Sequence, residues 1–256
     1  MSIALVIGCA RSGTSILGEL IGCHPDVRYV FEAHRVWELA GQGVGESHRL
    51  TAQHATPPVK REIRHWFLEQ QGAARLLVEK NPRNVLRVPF LRAVFPEAQL
   101  IHIVRDGRDV ACSMVPGCGG KEWSHLKPPS WKALMARYEG ALRCALAWGD
   151  IMEIALADLE GTPHLELRYE ELVRAPMDVA RKLVAYLGLT EDETMARFCE
   201  KIWDATAGSY HAQHQIRWYR DDHDARIGRW RENLTEEERQ LINHALAPLL
   251  RRLGYE

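Results

Sequence analysis

The stretch GCARSGTSILGEL, from Gly8 to Leu20, follows the apolar run Ile3–Ile7 and leads into a segment with the apolar spacing of a helix. A strand, a glycine-containing turn and a helix start form the layout of a phosphate-binding loop, because the N–H groups of the turn and the positive end of the helix dipole converge on an anion. Loops that bind nucleoside triphosphates carry a lysine directly after the second glycine. Here Thr14 follows Gly13 instead, and Arg11 supplies a positive charge before it. The stretch predicts a site for a tetrahedral anion at the end of the first strand.

The first two thirds of the chain alternate short apolar runs with amphipathic segments. Strands are predicted for Ile3–Ile7, Leu76–Val78, Leu100–Val104 and His164–Leu167. Helices are predicted for Ser15–Cys23, Val59–Glu69, Val85–Phe95 and Arg108–Met114. Strands that alternate with helices form a parallel sheet, which binds ligands at the carboxyl ends of its strands. We therefore predict an α/β fold of P-loop-like type, with a central parallel sheet flanked by helices.

The remainder of the chain favours helices. A long helix is compatible with Trp131–Leu159, and a final helix is predicted from Glu236 to about Leu253. Thr190–Glu193 and Thr235–Glu238 both have the spacing of a capping box, in which a threonine and an acid three residues later satisfy exposed backbone donors. The C-terminal part of the domain is thus predicted to be helical.

The composition restricts both the organisation and the class of the protein. With 256 residues and 46% hydrophobic content, the chain is predicted to form one domain, residues 1–256. The 33 basic and 34 acidic residues nearly cancel, which argues against the broad basic surface of a nucleic-acid-binding protein. The six cysteines include no Cys-x-x-Cys pair, and with no targeting segment in view the expected location is cytoplasmic. No run approaches the roughly 20 apolar residues of a membrane span.

Histidines give no clear metal site. His211 and His214 have a spacing that suits a metal ion on a helix, but no cysteine or clear acidic partner lies nearby to complete the ligand set. His102 is predicted to be a residue of the sheet. The sequence therefore predicts no bound metal.

A second anion-binding pattern lies in LIHIVRDGRDVACSM, from Leu100 to Met114. A strand ends in Arg105, and the start of the following helix brings Ser113 eight residues further on. A guanidinium offers a planar fork of donors and a hydroxyl adds a rotatable one, so the two can surround a phosphate. The second pattern argues against an ordinary surface turn at Gly8–Gly13. Two anion sites at neighbouring strand ends predict a ligand with phosphates at both ends of a nucleoside.

With both patterns present, the sequence resembles the sulfotransferases that use 3′-phosphoadenosine 5′-phosphosulfate (PAPS) as donor. The resemblance spans nearly the whole chain and includes Leu167–Leu189 and Arg226–Thr235. It implies a first anion-binding motif for the 5′-phosphosulfate, formed by Arg11, Ser12, Gly13, Thr14 and Ser15. It implies a second anion-binding motif for the 3′-phosphate, formed by Arg105 and Ser113. Further nucleotide contacts are implied for Arg226, Gly228 and Trp230.

The resemblance also accounts for the missing lysine of the first anion-binding motif. A sulfuryl group carries less charge than a terminal phosphoryl group, and enzymes of this family transfer it without a bound metal, so the magnesium-handling part of the loop is dispensable. Arg11 and Lys80 are implied to neutralise the oxygen that joins sulfur to the departing phosphate. The nucleotide product would be adenosine 3′,5′-bisphosphate (PAP).

The base that activates the acceptor hydroxyl differs between branches of this family. The cytosolic small-molecule branch uses a histidine after a Lys-Thr pair, but the corresponding stretch here, Glu79–Pro82, has a proline in that place. The tyrosylprotein and carbohydrate branches use a glutamate after the first helix, and HPDVRYVFEAHRVWEL, from His24 to Leu39, resembles their stretch. Glu32 falls at the matching position and is predicted to be the base, with a solvated or salt-bridged acid as the alternative. For His34, two residues further on, a structural hydrogen-bonding role is predicted, with a role as substitute base as the alternative.

The sequence therefore predicts an enzyme that transfers a sulfuryl group from PAPS to a hydroxyl of a small molecule, a glycan or a phenolic acceptor. Two alternatives stay open. One is a nucleotide-dependent kinase with a degenerate phosphate loop, which would need ATP and magnesium, and the other is a non-catalytic nucleotide-binding protein. Residues 41–58 and 115–129 predict long loops, and such loops often bind substrate or close over it. The acceptor and the oligomeric state do not follow from the sequence.

Overall fold

A computed structural model describes residues 1–41, 43–118, 123, 125–200 and 227–256, with the backbone alone for 116–118. Five strands in these residues form one parallel sheet. They are β1 (Ile3–Ile7), β2 (Val27–Phe31), β3 (Leu76–Lys80), β4 (Gln99–Val104) and β5 (His164–Arg168). Their order in the sheet is β2-β3-β1-β4-β5, and every neighbouring pair is parallel.

Helices flank the sheet, as predicted for an α/β fold, and this fold class is confirmed. The helices are α1 (Thr14–Gly22), α2 (His34–Trp37), α3 (Pro57–Gln71), α4 (Val88–Val94), α5 (Gly107–Cys118), α6 (Trp131–Arg137), α7 (Gly140–Leu159), α8 (Tyr169–Arg174), α9 (Pro176–Leu187), α10 (Glu193–Glu200), α11 (Trp230–Asn233) and α12 (Glu236–Arg252). Among the residues described, no helix has the length and apolar character needed to cross a membrane. The single-domain organisation and the cytoplasmic location stay predictions.

The two faces of the sheet pack against different helices. All five residues of β1 are buried, as expected for a central parallel strand covered on both sides. Leu5 belongs to the larger of two core clusters, together with Trp148 of α7 and Leu249 of α12. Val6 points to the opposite face and belongs to the smaller cluster, with Leu17 of α1. Burial on both faces leaves the carboxyl edge of the sheet for polar residues.

The register of the strands brings the predicted site residues to this carboxyl edge. Val6 of β1 and Phe31 of β2 both lie opposite Lys80, the last residue of β3. Because neighbouring strands run in the same direction, the segments that follow β1, β2, β3 and β4 all begin at the same edge. These segments contain both anion-binding motifs and Glu32.

The sequence pattern does not predict β2. This strand lies at the edge of the sheet and pairs with β3 on one side, so its residues are half-buried or exposed. Its run Val-Arg-Tyr-Val-Phe is interrupted by Arg28 and lacks the continuous apolar character of a buried parallel strand. The omission matters because Glu32 directly follows the last residue of β2.

Two predicted helices are divided in the structure. Trp131–Leu159 forms α6 and α7, because Tyr138 and Glu139 are extended and Gly140 has a φ of 55°, a conformation that favours glycine. The predicted helix Val85–Phe95 is a 3₁₀ turn followed by α4. Proline at position 89 lacks the N–H group that would continue a helix from residue 85.

The two predicted capping boxes have different outcomes. The Thr235 hydroxyl accepts a hydrogen bond from the N–H of Glu238 at 3.2 Å, and the Glu238 carboxylate accepts one from the N–H of Thr235 at 2.9 Å, which confirms the box before α12. The prediction at Thr190 is wrong. There the carboxylate of Asp192 accepts from the N–H of Thr194 at 2.7 Å, and α10 begins later than the threonine. Aspartate caps a helix as well as threonine does, so the nearer residue is used.

Candidate active site

Two glycines allow the chain to turn tightly after β1. A Cβ atom on Gly8 would lie 2.6 Å from the carbonyl oxygen of Ile103 in β4, and Gly13 has a φ of 87°. The first position is closed to larger residues by the neighbouring strand, and the second by its left-handed backbone. α1 starts at Thr14, directly after the turn. The unsatisfied N–H groups of the first turn of α1 therefore lie at the end of the loop.

The hydroxyl groups of the first anion-binding motif fit an anion. Ser12 and Thr14 are buried, and Ser15 is half-buried. The Oγ atom of Ser12 forms no hydrogen bond with any described residue of the chain. A buried hydroxyl without a partner is uncommon in proteins. An anion bound at the start of α1 would provide the missing partner.

Arg11 joins the first anion-binding motif to the second. Its Nε atom donates a hydrogen bond to Oγ of Ser113 at 3.0 Å. Nη1 of Arg105 in turn donates to the carbonyl oxygen of Arg11 at 2.9 Å. Two stretches that are far apart in the sequence thus form one cationic site. Two guanidinium groups and a hydroxyl in one site can bind more than one anionic group of a ligand.

Tyr169 supports both motifs and was not identified from the sequence. The guanidinium carbon of Arg105 lies 4.2 Å from the centroid of the Tyr169 ring. The same ring approaches Gly13 so closely that a Cβ atom there would lie 2.5 Å from it. Stacking on the ring restricts the orientation of the guanidinium. The available signal was an aromatic residue directly after the last strand.

Asp109 of α5 binds the C-terminal segment, residues 228–230, through two hydrogen bonds. Its Oδ2 accepts a hydrogen bond from the N–H of Gly228 at 2.7 Å, and its Oδ1 accepts one from the N–H of Trp230 at 3.1 Å. The Trp230 ring centroid lies 4.1 Å from the guanidinium carbon of Arg108. Gly228 and Trp230 therefore lie beside the second motif. Arg226 lies outside the described residues.

Glu32 and Lys80 form an ion pair at the ends of β2 and β3. Nζ of Lys80 donates to Oε1 of Glu32 at 2.5 Å, and the N–H of Glu32 donates to the carbonyl oxygen of Lys80 at 2.8 Å. Oε2 of Glu32 lies 2.9 Å from Nε2 of His34. The Lys80 side chain is fully buried with its ammonium 3.6 Å from the centroid of the Phe31 ring, whereas the Glu32 side chain is 24% exposed. This carboxylate–lysine pair unites two of the three predicted catalytic residues and leaves the carboxylate accessible to solvent.

The neighbours of Glu32 determine the charge of its carboxylate. Burial raises the pKa of Glu32, but the hydrogen bond with His34 and the positive charge of Lys80 together outweigh it and lower the pKa to about 2. Glu32 is therefore ionised at neutral pH. Its Oε1 atom is occupied by the ammonium of Lys80.

Two predicted catalytic residues have left-handed backbones. Arg11 has a φ of 72° and Glu32 a φ of 46°. Such conformations cost non-glycine residues about 1–3 kcal/mol and persist where the surrounding structure over-determines them. In the described residues the other non-glycine case is Glu46, in the loop before α3. Backbone strain thus coincides with two positions at the carboxyl edge.

Glu79 holds the segment that carries Glu32, and it too was missed by the sequence reasoning. Its Oε1 accepts hydrogen bonds from the N–H of Ala33 at 3.2 Å and from Nε1 of Trp37 at 3.0 Å, while Oε2 accepts one from Nδ2 of Asn84 at 2.8 Å. Glu79 is fully buried, and burial raises its pKa to about 7. An acid inside a buried strand is unusual. That contrast is the signal by which the sequence could have identified it.

Comparison with known proteins gives two relatives at 26% sequence identity, one of which is named as a sulfotransferase. Nodulation protein NoeE of Sinorhizobium fredii is 26% identical over 284 residues, which cover 99% of this chain and 66% of NoeE. Protein-tyrosine sulfotransferase 1 of Danio rerio is 26% identical over 223 residues, which cover 80% of this chain and 58% of that protein. The chain thus spans less than two thirds of the length of each of these relatives.

A solved structure and a family model extend the comparison. Mouse sulfotransferase SULT7A1, complexed with PAP, superposes with a TM-score of 0.56 at 16% sequence identity, over 98% of this chain and 85% of the mouse chain. At this identity the likeness establishes the fold. The model of the Sulfotransferase family matches residues 4–193, which contain both anion-binding motifs and the carboxylate–lysine pair. The chain belongs to the Sulfotransferase family.

Proposed function

We propose that this protein transfers a sulfuryl group from PAPS to the hydroxyl group of an acceptor. The observation that carries the proposal is the hydrogen bond between Arg11 and Ser113, which unites two anion-binding motifs at the edge that also holds the carboxylate–lysine pair. Family membership supports sulfuryl transfer as the reaction. A related enzyme is named for the sulfation of protein tyrosine, which is a hydroxyl acceptor.

The residues of the two motifs fit the donor. The first anion-binding motif would hold the 5′-phosphosulfate, and the Oγ of Ser12, which has no hydrogen-bond partner among the described residues, is a donor suited to it. Arg105 and Ser113 would hold the 3′-phosphate, and Gly228 and Trp230 would lie along the nucleotide. When bound, PAPS supplies a sulfuryl group attached to a phosphate that can depart as PAP.

Glu32 would receive the proton of the acceptor hydroxyl at its solvent-accessible carboxylate. A pKa of about 2, held low against burial by the hydrogen bond with His34 and by Lys80, makes Glu32 a weak base, because a general base is most effective when its pKa lies near the working pH. Release of Lys80 would raise the pKa of Glu32 and free Oε1. The same ammonium would then be available to neutralise charge on the departing phosphate. One lysine thus links the presence of an anionic donor to the basicity of Glu32.

His34 has a defined place in this scheme. Its ring nitrogen Nε2 is hydrogen-bonded to Oε2 of Glu32, so it orients the carboxylate, which is a positioning role. The reverse assignment, with His34 as the base and Glu32 as its orienting partner, is the second candidate. The two assignments differ in which single substitution removes turnover.

The acceptor is proposed to be a small molecule, a glycan or a phenol. Two rival functions predict a different ligand preference. A kinase on this scaffold would prefer ATP with magnesium, and a non-catalytic binding protein would bind the donor without turnover. The lysine that meets the terminal phosphates of nucleoside triphosphates is replaced here by Thr14, which favours PAPS over ATP.

Calorimetric titration with PAP, run beside ATP with magnesium, tests the donor. We expect one PAP to bind per chain, with affinity that falls as salt is raised, and little or no binding of ATP. Preference for ATP would overturn the assignment of Arg105 and Ser113 to a 3′-phosphate. Turnover is then measured with sulfate-labelled PAPS and a panel of phenols, glycans and small alcohols. Binding of PAP without transfer to any acceptor would favour the non-catalytic alternative.

A further inference from the structure

We propose that His102, His164 and Glu166 form a binding site for a divalent transition-metal ion, with Zn²⁺ as the best match to the ligand set. His102 belongs to β4, and the other two residues belong to β5, the edge strand. None of the three takes part in the proposed sulfuryl transfer. The site is structural in function and independent of the donor.

Strand pairing brings the three side chains together. His102 lies directly opposite Glu166 in the register of β4 and β5, and His164 is two residues before Glu166 on the same face. One potential ligand atom from each residue lies within 4.8 Å of the others. Two ligands of a tetrahedral zinc ion are about 3.3 Å apart at ordinary bond lengths. Metal binding would require the partly exposed His164 and Glu166 side chains to move closer to His102.

His102 has an unmet requirement that a metal ion would satisfy. The residue is fully buried, and neither ring nitrogen forms a hydrogen bond within the parts of the chain that the structure describes. Its Nδ1 lies 3.7 Å from Oε2 of Glu166, which is too far for a hydrogen bond. Buried polar groups nearly always have a partner. The imidazole therefore lies beside a carboxylate and a second imidazole with its own lone pair unused.

The hydrogen bond of His164 favours the tautomer that a metal ligand needs. Its Nδ1 lies 2.7 Å from the carbonyl oxygen of Thr162. A carbonyl can only accept, so Nδ1 carries the proton and Nε2 of the neutral ring keeps its lone pair. Histidine ligands characteristically donate their second N–H to a carbonyl or carboxylate in this way.

The chemistry of the set selects the ion. Two imidazoles and one carboxylate suit zinc and similar borderline metals better than Mg²⁺ or Ca²⁺, which prefer oxygen ligands. The Glu166 side chain is 39% exposed, so a water molecule can reach the fourth position from solvent. Its negative charge partly balances that of the ion.

A metal at this place would clamp the edge strand to the rest of the sheet. β5 leads directly into Tyr169, and β4 leads into Arg105, whose guanidinium stacks on the Tyr169 ring. Metal binding would therefore stabilise the two strands that carry both members of this contact. The sequence gives no hint of the site, because its ligands converge only through strand pairing.

The test is calorimetric titration of the full chain with ZnCl₂ after removal of metal by a chelator, with a thermal unfolding curve at each metal concentration. We expect one Zn²⁺ per chain and a rise in Tm. Glu166→Gln and His164→Gln should each weaken binding about 100-fold or more and abolish the rise, since even the outer partners of metal ligands are worth about 10- to 100-fold in affinity. Both positions reach the surface, so the variants should fold.

Two controls make the result decisive. His65 and Glu69 form an exposed pair on α3, with Nε2 and Oε1 3.3 Å apart, and the double variant His65→Gln/Glu69→Gln should bind zinc like the wild type. Titration with Co²⁺ reports the ligand type, and the proposal requires a spectrum without a thiolate charge-transfer band. The proposal is overturned by absence of stoichiometric binding, by binding that survives both site variants, or by a thiolate band that shows capture by cysteines.

Discussion

The carboxyl edge of the sheet has two parts that are built in different ways. On the side of β1 and β4, the two anion-binding motifs consist of tight turns, helix starts and arginines, and they are joined by the hydrogen bond from Arg11 to the Ser113 hydroxyl. On the side of β2 and β3, the carboxylate–lysine pair depends on an edge strand and on the buried carboxylate of Glu79. The first part consists of short sequence motifs suited to binding an anionic ligand. The second holds reactive groups in place through contacts between distant segments.

The largest expected effect is a loss of turnover without a loss of PAP affinity, which would show that the two parts of the edge act independently. Glu32→Gln should lower kcat on the order of 10²- to 10⁴-fold, because a positioned general base contributes about that much. Affinity for PAP, measured by calorimetry, should stay close to that of the wild type, since the anion-binding motifs are untouched. Glu62→Gln, an exposed acid on α3, is the matched control and should keep full activity.

A different result would reassign the base. If Glu32→Gln kept its turnover while His34→Gln lost it, proton transfer would belong to His34. If Glu32→Gln lost PAP affinity as well, the two parts of the edge would not be separable.

The second prediction concerns the framework of the carboxylate–lysine pair. Glu79 has a pKa of about 7 in the folded protein against 4.5 as its ordinary value, so the folded state retains a proton that the unfolded state releases in between. Stability should therefore fall as pH rises through this window, by roughly 3 kcal/mol from this residue. Glu79→Gln has no such proton, and its free energy of unfolding in urea should change less between pH 4.5 and pH 7 than that of the wild type.

The comparison between the two proteins isolates the contribution of Glu79, because every other titrating group is shared. Glu62→Gln should show the wild-type slope. Parallel pH profiles for the wild type and Glu79→Gln would mean that Glu79 is already ionised when folded, and that its three donors hold it as a carboxylate.

The third prediction tests the binding side of the edge. Arg105→Ala should weaken PAP binding about 10- to 100-fold, since a hydrogen bond to a charged group is worth roughly 1.5–3 kcal/mol. The stability of the carboxylate–lysine pair should be unaffected. Arg181→Ala, an exposed arginine of α9 paired with Asp178, is the control. Unchanged PAP affinity in Arg105→Ala would exclude this arginine from phosphate binding.

The smallest expected effect concerns the attachment of the C-terminal segment. Asp109→Asn keeps one acceptor oxygen and loses the other, so one of the hydrogen bonds from Gly228 and Trp230 is broken. PAP affinity should fall about two- to tenfold, in line with a net value of about 0.5–1.5 kcal/mol for a single hydrogen bond. Asp178→Asn, exposed on α9, serves as control. Full affinity in Asp109→Asn would show that the segment contributes nothing to nucleotide binding.

The fold class and the positions of both anion-binding motifs can be predicted from the amino-acid sequence alone. These features depend on local spacing: a glycine turn between a strand and a helix, an arginine at a strand end and a hydroxyl eight residues later. Such patterns can be predicted because each turn or helix start is specified by a few consecutive residues. Glu32 and Lys80 were also identified as candidates, through resemblance rather than through their environment.

The contacts among these residues, in contrast, follow from the packing of the folded chain. The contact of Lys80 with Glu32, the support from Tyr169 and Glu79, and the approach of His102 to two residues of β5 all join segments that are distant in the chain. Edge strand β2 escaped prediction because half-exposure removes the apolar pattern on which strand prediction depends. Charge and burial are properties of the packed molecule. For that reason the pKa of Glu32 and of Glu79, unlike their positions, could not be read from the sequence.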